Sequence, residues 1–277
     1  MKKFIDLHTH SNASDGSMSP AEVVIAAKDA GLSAIALTDH DTFEGIEEAL
    51  AQSKKSGIEL MPGVEISVAY KTEMHILGYF KESTYKNFNS VLENLKKNRN
   101  KRNPKIINKL NEIGFSLTME DVKNETRGSI IGRPHIAKTI LKKGYVKSMD
   151  EAFKKYLSEG RPAYFKRDEL GVKEGIEEIC KAGGMPVLAH PIFLYLNNEE
   201  LDVLLKNMKA YGLKGIEAYY SENSETDTGN LLRLAVKNNL IVTGGSDFHG
   251  TYKPNINIGT GRGNLKIPYE ILNAFDR

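Results

Sequence analysis

The sequence predicts an α/β barrel of the TIM type that is interrupted once by a helical segment. Strand-like and helix-like segments alternate in the first and last parts of the chain, which implies parallel strands with right-handed crossovers. The stretch between these parts is helical in pattern, without a convincing strand. Most histidines stand beside predicted strand ends, where the active sites of such barrels lie. A chain of 277 residues is long enough for a barrel with a smaller insert.

The first part of the chain begins with a β-α-β-α-β pattern. Four apolar segments are predicted as strands, and they cover residues 4–8, 34–38, 60–68 and 74–80. The first helix is predicted to follow an N-cap at Ser19, with Pro20 at its first position, and to stop at Gly31. A second helix is predicted over 43–56, ending at Gly57.

The alternation resumes near residue 173 and continues through three more helix–strand pairs. The later strands are MPVLAH, GIEAYY and LIVTGGSDFH, and the helices of the intervening stretch include YKNFNSVLENLKKNRNKRNPKIINKLNEIG and PHIAKTILKKG. We therefore expect a discontinuous barrel formed by residues 1–83 and 168–277, and an all-helical inserted domain at 84–167.

Positive charge is concentrated in the predicted insert. The whole chain carries +2, but residues 86–167 hold 20 Lys+Arg and 8 Asp+Glu, giving +12, while the rest holds 18 and 28, giving −10. This asymmetry favours an insert that meets anions and a barrel that holds cations. For many of these lysines taken singly, the alternative is an ordinary solvated helix face.

The composition is typical of a globular cytoplasmic protein. Hydrophobic residues make up 40% and charged residues 27% of the chain. Every apolar run is too short to cross a membrane, and the first residues do not resemble a signal peptide. The single cysteine, Cys180, excludes an internal disulfide and agrees with a reducing compartment. We expect a cytoplasmic protein with no membrane attachment and no obligate protein partner.

Six of the seven histidines stand at or beside predicted strand ends. His8 and His10 are two apart on an extended segment, so both rings point the same way and can reach one ion. A hairpin after the third strand could return His75 to the side of Glu65. The side chains that should converge at one face of the barrel are His8, His10, Asp15, His40, Glu65, His75, His190, Asp247 and His249.

Nine nitrogen and oxygen donors without a thiolate favour Mn²⁺, Fe²⁺ or Zn²⁺ over metals that select sulfur. So much imidazole also argues against an all-oxygen Mg²⁺ site. Nine ligands exceed the needs of one ion, so two or three divalent ions are expected, an arrangement that suits phosphoester hydrolysis. Taken alone, His40 or His75 would more often be a core or surface histidine than a ligand. The joint set of six histidines and three carboxylates favours a metal site.

The motifs LHTH, LTDHD, PGVEIS, HILGY, LAHP and GGSDFHG together resemble the PHP family, named for its polymerase-associated and histidinol-phosphatase members. The resemblance covers residues 2–80 and 172–262, and it implies a distorted (β/α)7 TIM-like barrel with a trinuclear site. It implies one ion held by His8, His10, Glu65 and Asp247, a second ion shared through Glu65 with His75 and His190, and a third held by Asp15, His40 and His249. Asp39 and Asp41 flank His40 and are interpreted as supporting or capping groups.

The insert, with IGRPHIA and EGRPAYF, is similar to a subgroup of small phosphoesterases that act on nucleotides. Its members remove phosphate from 3′,5′-nucleoside bisphosphates, or trim RNA from the 5′ end. The resemblance makes Arg133 and His135 candidate phosphate contacts, with Arg161 a weaker one. On sequence alone, His135 could equally cap the helix that begins there.

The leading hypothesis is a phosphoesterase in which a metal-activated hydroxide attacks phosphorus, without a catalytic residue beyond the metal cluster. The expected substrate is a small phosphate ester, a nucleotide or a short RNA. One alternative is a phosphatase of the histidinol-phosphate type. Another is a non-catalytic module that binds nucleotides or docks on a polymerase. A degenerate module would have lost ligands, so the complete set of nine favours an enzyme.

Overall fold

Seven strands form a nearly closed, barrel-like sheet in the computed structural model, which describes residues 2–126, 128–166 and 168–275. These seven strands and one short additional strand, β5, are β1 (Ile5–Thr9), β2 (Ala34–Leu37), β3 (Glu59–Ala69), β4 (Met74–Tyr79), β5 (Leu170–Gly171), β6 (Met185–Leu188), β7 (Gly215–Tyr220) and β8 (Ile241–Gly245). Their order is β1-β2-β3-β4-β6-β7-β8, and the short β5 pairs with β3 off this path. A parallel bridge between Thr9 and Phe248 joins the two ends of the sheet. The predicted α/β barrel is confirmed.

The β4 strand is antiparallel to both of its neighbours, whereas the other pairs of the sheet order run parallel. It returns from β3 through residues 70–73, and His75 lies opposite Ser67 in the hairpin register. Because β4 is reversed, its first residues lie at the same edge as the last residues of the parallel strands. This edge is where side chains from different strands can meet.

The helices are α1 (Pro20–Asp29), α2 (Ile46–Ser56), α3 (Asn89–Glu112), α4 (Met119–Lys123), α5 (Arg133–Lys142), α6 (Met149–Ala152), α7 (Val172–Lys181), α8 (Asn198–Ala210) and α9 (Glu225–Asn238). The predicted start of α1 is confirmed, because Ser19 and Glu22 form a reciprocal capping box. The predicted end of α2 at Gly57 is also confirmed, with a left-handed φ of 64°. None of the described helices is both long and apolar enough to span a bilayer.

The predicted start of α2 at residue 43 is wrong, because the helix begins at Ile46. Phe43 instead packs against the rings of Phe80 and Tyr85, with ring centroids 5.4 and 5.3 Å away. The residues between His40 and α2 therefore form a turn that packs on the barrel, and the helix can begin only after that turn.

A hydrophobic cluster separate from that of the barrel lies within the helical stretch between β4 and β5. Its fully buried members include Ile106, Leu110, Ile136, Ile140 and Leu157. The described residues of 85–166 form helices and turns, including a π-helical turn at Phe153–Leu157, and no strand. These residues therefore pack around apolar side chains of their own.

We expect Gly245→Ala to destabilise the barrel because β8 and β1 approach each other closely at this glycine. A Cβ at position 245 would lie 2.2 Å from the Cβ of His8 and 2.4 Å from its backbone nitrogen. The loss in the free energy of unfolding should be about 1–3 kcal/mol, the usual cost of overpacking. Urea denaturation followed by circular dichroism measures it.

The matched control is Gly229→Ala in α9, where the nearest atom to a new Cβ is Arg233 Nη1 at 3.7 Å. This change should stabilise the protein by about 0.5–1 kcal/mol, because alanine is the better helix former. Equal effects of the two substitutions would contradict the close approach at Gly245.

Candidate metal centre

The nine predicted ligands lie together at one edge of the barrel. Seven come from β1 and from the segments that follow β1, β2, β6 and β8, while Glu65 lies within β3 and His75 near the start of β4. The side chains of Asp15 and His40 are the most exposed of the set, at 13% and 18%. The centre is therefore buried in the barrel and open on the side of these two residues.

One oxygen of Glu65 faces three histidines. Glu65 Oε2 lies 3.3 Å from His8 Nε2, 3.2 Å from His10 Nε2 and 3.2 Å from His40 Nδ1. The Nε2 atoms of His8 and His10 are 3.1 Å apart. The side chains two apart on β1 therefore reach one point, as their spacing predicts.

The other oxygen of Glu65 faces two further histidines. Glu65 Oε1 lies 2.8 Å from His75 Nδ1 and 2.8 Å from His190 Nε2, and these two nitrogens are 3.3 Å apart. The reversed β4 supplies one of these histidines, and the segment after β6 supplies the other. Glu65 thus stands between two groups of donors, with one carboxylate oxygen for each.

Aspartates complete the opposite side of the centre. Asp247 Oδ1 lies 3.3 Å from His10 Nε2 and 3.4 Å from His249 Nδ1. Asp15 Oδ1 lies 3.3 Å from His249 Nε2, and Asp15 Oδ2 lies 3.9 Å from His40 Nε2. One donor group therefore gathers around Asp15, and it shares His10 and His40 with the groups around Glu65.

These residues fit divalent transition metals. Ligand bonds of about 2.0–2.2 Å to a shared ion place neighbouring donor atoms roughly 3 Å apart, which is the spacing observed. His10 Nδ1 and His40 Nδ1 are buried and make no hydrogen bond, although a buried polar nitrogen normally has a partner. The three donor groups contain imidazole and carboxylate but no thiolate.

Mutual electrostatics keep the central carboxylate ionised. Burial opposes ionisation of Glu65, but the imidazoles of His40, His75 and His8 hold its pKa well below its usual range. Burial similarly opposes protonation of His8, yet Glu217 and Glu65 raise its pKa well above the usual value. Because a histidine must be neutral to bind a metal, a cation bound here would take the place of the protons on these imidazoles.

Glu217, on β7, is a site residue that the sequence motifs did not indicate. It is fully buried, its Oε1 lies 2.9 Å from His8 Nδ1, and its Oε2 accepts a hydrogen bond from the backbone nitrogen of His190 at 2.7 Å. A carboxylate on Nδ1 fixes the tautomer of His8 and leaves Nε2 for a metal. The available signal was a single acidic residue within the otherwise apolar strand GIEAYY.

Two residues that flank His40 support the centre in different ways. Asp39 accepts hydrogen bonds from the backbone nitrogen of Ser11 at 2.8 Å and the hydroxyls of Ser11 and Ser14 at 2.6 and 2.5 Å, which fixes the loop before Asp15. Asp41 Oδ2 accepts hydrogen bonds from Arg99 of α3, from Nε at 2.7 Å and Nη2 at 2.6 Å. The supporting role predicted for both residues agrees with these contacts.

The backbone is strained at the edge of the centre. Among the described residues other than glycine, positive φ values occur at five positions, and three of them are Asp41, His190 and Asp247, with φ of 54°, 25° and 58°. Such conformations cost of order 1–3 kcal/mol each and persist where the surroundings fix them. Their location agrees with side chains that are held in place for a function.

The candidate phosphate contacts of the helical stretch differ in burial and in their partners. His135 is buried, and burial lowers its pKa although the carboxylate of Asp15 opposes this shift. Its Nδ1 accepts a hydrogen bond from the backbone nitrogen of Gly132 at 3.1 Å, which is the capping arrangement that the sequence left open. The guanidinium of Arg133 lies 5.5 Å from the ring centroid of Tyr164. Arg161 lies in an exposed turn.

A family model for the PHP domain matches residues 6–242 of the chain. The chain belongs to the PHP family. A 5′-3′ exoribonuclease of Haemophilus influenzae is 36% identical over 250 residues, covering 90% of this chain and 91% of that protein. A 3′,5′-nucleoside bisphosphate phosphatase of Chromobacterium violaceum is 31% identical over 254 residues, covering 88% and 87%.

Solved structures agree with this assignment. A protein of Bifidobacterium adolescentis, proposed to be a metal-dependent phosphoesterase, has a TM-score of 0.86 and 30% identity, with 98% of this chain and 94% of that chain covered. A Chromobacterium violaceum amidohydrolase with bound sulfate has a TM-score of 0.84 and 30% identity, covering 92% and 89%. This PHP protein is a metal-dependent phosphoesterase, a hydrolase that acts on phosphoric ester bonds, as the sequence predicted.

We expect Glu217→Gln to weaken metal binding about 10–100-fold, the usual effect of losing a carboxylate behind a ligating histidine. The amide keeps the size of the side chain but no longer fixes His8 by charge. Competition with a chromogenic chelator measures the affinity for Mn²⁺ or Zn²⁺. Glu222→Gln is the matched control, because Glu222 follows the same strand but pairs with Arg262 at the surface. Unchanged affinity in Glu217→Gln would contradict the role of Glu217.

Proposed function

We propose that this PHP phosphoesterase hydrolyses phosphate esters of nucleotides, either 3′,5′-nucleoside bisphosphates or the 5′ ends of short RNA. The observation that carries this proposal is the contact of α5 with the barrel, where Lys138 donates a hydrogen bond to Tyr252, three residues after the predicted ligand His249. A basic helical stretch beside a phosphoesterase centre can bind phosphate that is not being hydrolysed. The names of the relatives from H. influenzae and C. violaceum support the same substrate class.

The donor geometry supports two or three divalent ions, Mn²⁺, Fe²⁺ or Zn²⁺. Glu65 would share its two oxygens between one ion near His8 and His10 and another near His75 and His190. The donors around Asp15 would hold the third ion. When bound, such ions polarise the phosphoryl group, activate water for attack and stabilise the leaving oxygen.

The residues of the chain then position substrate rather than attack it. Buried carboxylates and imidazoles exclude bulk water from the floor of the site, while Glu217 and Asp39 fix the rings and the loop in place. Substrate would approach from the side of Asp15 and His40. Arg133 and His135 would hold a second phosphate, and Arg161, in its exposed turn, is a weaker candidate.

We propose further that residues 84–167 form an inserted cap domain over this opening. Three contacts support it: Arg99 bonds Asp41, Ser129 bonds Glu44 and Lys138 bonds Tyr252. A Cβ at Gly128 would also lie 2.1 Å from the carbonyl oxygen of Ala13, so this stretch touches the loop before Asp15.

The net positive charge of residues 86–167 is not in itself evidence that they bind substrate. Several of its lysines are neutralised locally: Lys143 pairs with Asp121 at 2.7 Å and Lys155 with Glu151 at 2.6 Å. These pairs are the solvated helix faces that the sequence offered as the alternative. Substrate recognition is therefore assigned to the few basic groups beside the centre.

An assay that detects both the inorganic phosphate released from a monoester and the mononucleotide released from an RNA 5′ end tests the substrate class. With Mn²⁺, we expect faster turnover of 3′,5′-bisphosphates or short 5′-phosphorylated RNA than of histidinol phosphate, because only the nucleotides present a second phosphate to α5. Elemental analysis should find more than one metal equivalent per chain, and a chelator should abolish turnover. Faster turnover of histidinol phosphate would refute the nucleotide assignment. Activity that survives complete chelation would refute the multi-metal centre.

The role of α5 is tested by comparing the loss of kcat/KM on a bisphosphate with the loss on a simple monoester. If Arg133 and His135 hold a non-reacting phosphate, replacing either should cost about 1.5–3 kcal/mol on a bisphosphate. This is a fall of roughly ten- to over a hundredfold in kcat/KM. The loss on p-nitrophenyl phosphate should be much smaller, because that ester has no second phosphate.

The variants are Arg133→Ala and His135→Gln. Glutamine at the third helical position can keep the cap on Gly132 while it removes the imidazole, so this change separates recognition from helix stability. Metal content is measured in each variant. Equal losses on the two substrates would mean that these residues serve the reacting phosphate or the fold.

A further inference from the structure

Lys253 places a positive charge beside the metal centre. Its Nζ donates a hydrogen bond to Asp247 Oδ2 at 2.6 Å, while the other oxygen of Asp247 faces His10 at 3.3 Å. The side chain of Lys253 is 39% exposed, whereas that of Asp247 is only 8% exposed. The ammonium group therefore lies between the buried ligands and the solvent-facing side of the site.

The backbone holds Lys253 in this position. The preceding residues form a tight 3₁₀ turn, Gly250–Tyr252, directly after His249. Lys253 donates its backbone N–H to Gly250, at 3.3 Å, and its carbonyl accepts a hydrogen bond from Ile256 at 3.0 Å. The charge is thus preorganised before substrate arrives, which is what makes a fixed charge effective in catalysis.

Orientation of Asp247 does not require a cation. The hydroxyl of Tyr220 donates to the same oxygen, Asp247 Oδ2, at 2.9 Å, and a neutral donor is sufficient to orient a carboxylate. The ammonium group of Lys253 on Oδ2 would also repel a metal ion bound to Oδ1 of the same carboxylate. Lys253 has three N–H donors, and among the described residues only Asp247 accepts a hydrogen bond from them. Two donors remain for a ligand.

We propose that Lys253 binds the phosphate group that is hydrolysed. A lysine ammonium is a compact point charge that suits phosphate oxygens, and here it would contact an oxygen of the reacting group while the metal centre holds the others. The neighbouring residue supports this placement, because the Tyr252 hydroxyl accepts a hydrogen bond from Lys138 of α5 at 2.7 Å. Lys253 thus lies on the wall where the barrel meets the helix that begins with Arg133.

This proposal rests on the phosphoesterase activity and not on the nucleotide assignment. The probes are therefore p-nitrophenyl phosphate as substrate and inorganic phosphate as inhibitor, neither of which contains a nucleoside. Lys253→Met should lower kcat/KM and weaken inhibition by phosphate, each on the order of ten- to a hundredfold, as expected for loss of a charged hydrogen bond. Lys253→Arg should retain a larger share of both. Metal content should stay at the level of the unaltered enzyme.

Two further variants separate phosphate binding from an indirect effect. Tyr220→Phe removes the neutral donor to Asp247 and should change metal affinity more than phosphate affinity. Lys266→Met removes an exposed lysine elsewhere and should leave phosphate inhibition unchanged. Lys253→Met with unchanged phosphate inhibition would overturn the proposal. So would a loss of bound metal in proportion to the loss of activity, because Lys253 would then act through Asp247 alone.

Discussion

The carboxylate of Glu65 is the constraint on which the rest of the site depends. Its two oxygens face two different groups of histidines, so residues of four other strands, or of the segments that follow them, must lie within about one hydrogen-bond length of one side chain. A uniformly parallel barrel would bring the start of β4 to the opposite edge. The reversal of β4 brings His75 to the same edge as the others, and the antiparallel strand is therefore part of the chemistry as well as of the topology.

Much of this arrangement could be predicted because it follows from local rules. Ser19 and Glu22 form a capping box within one helical turn, so the sequence around α1 contains the whole signal. His8 and His10 converge because side chains alternate along a strand. The strand ends gather at one edge because parallel barrels are built that way. These rules needed no knowledge of which residues touch across the fold.

Other features lie beyond such rules because they depend on pairs far apart in the chain. Glu217 is 209 residues from His8, and nothing near either residue indicates their hydrogen bond. Lys253 and Tyr220 meet on Asp247 only because β7 and the loop after β8 are neighbours. The start of α2 was missed for a similar reason, since packing of Phe43 on distant rings outweighs its helical pattern.

The ion pair between Arg99 and Asp41 bears on how substrates reach the metals. Both side chains are buried, and Asp41 directly follows His40, so α3 cannot lift away without leaving an unpaired charge beside the centre. Leaving one charge of a buried pair uncompensated costs about 3–5 kcal/mol, so a state that did so would be populated in roughly one molecule in 150 or fewer. The pair therefore holds α3 against the segment that carries His40, at one edge of the open side of the centre.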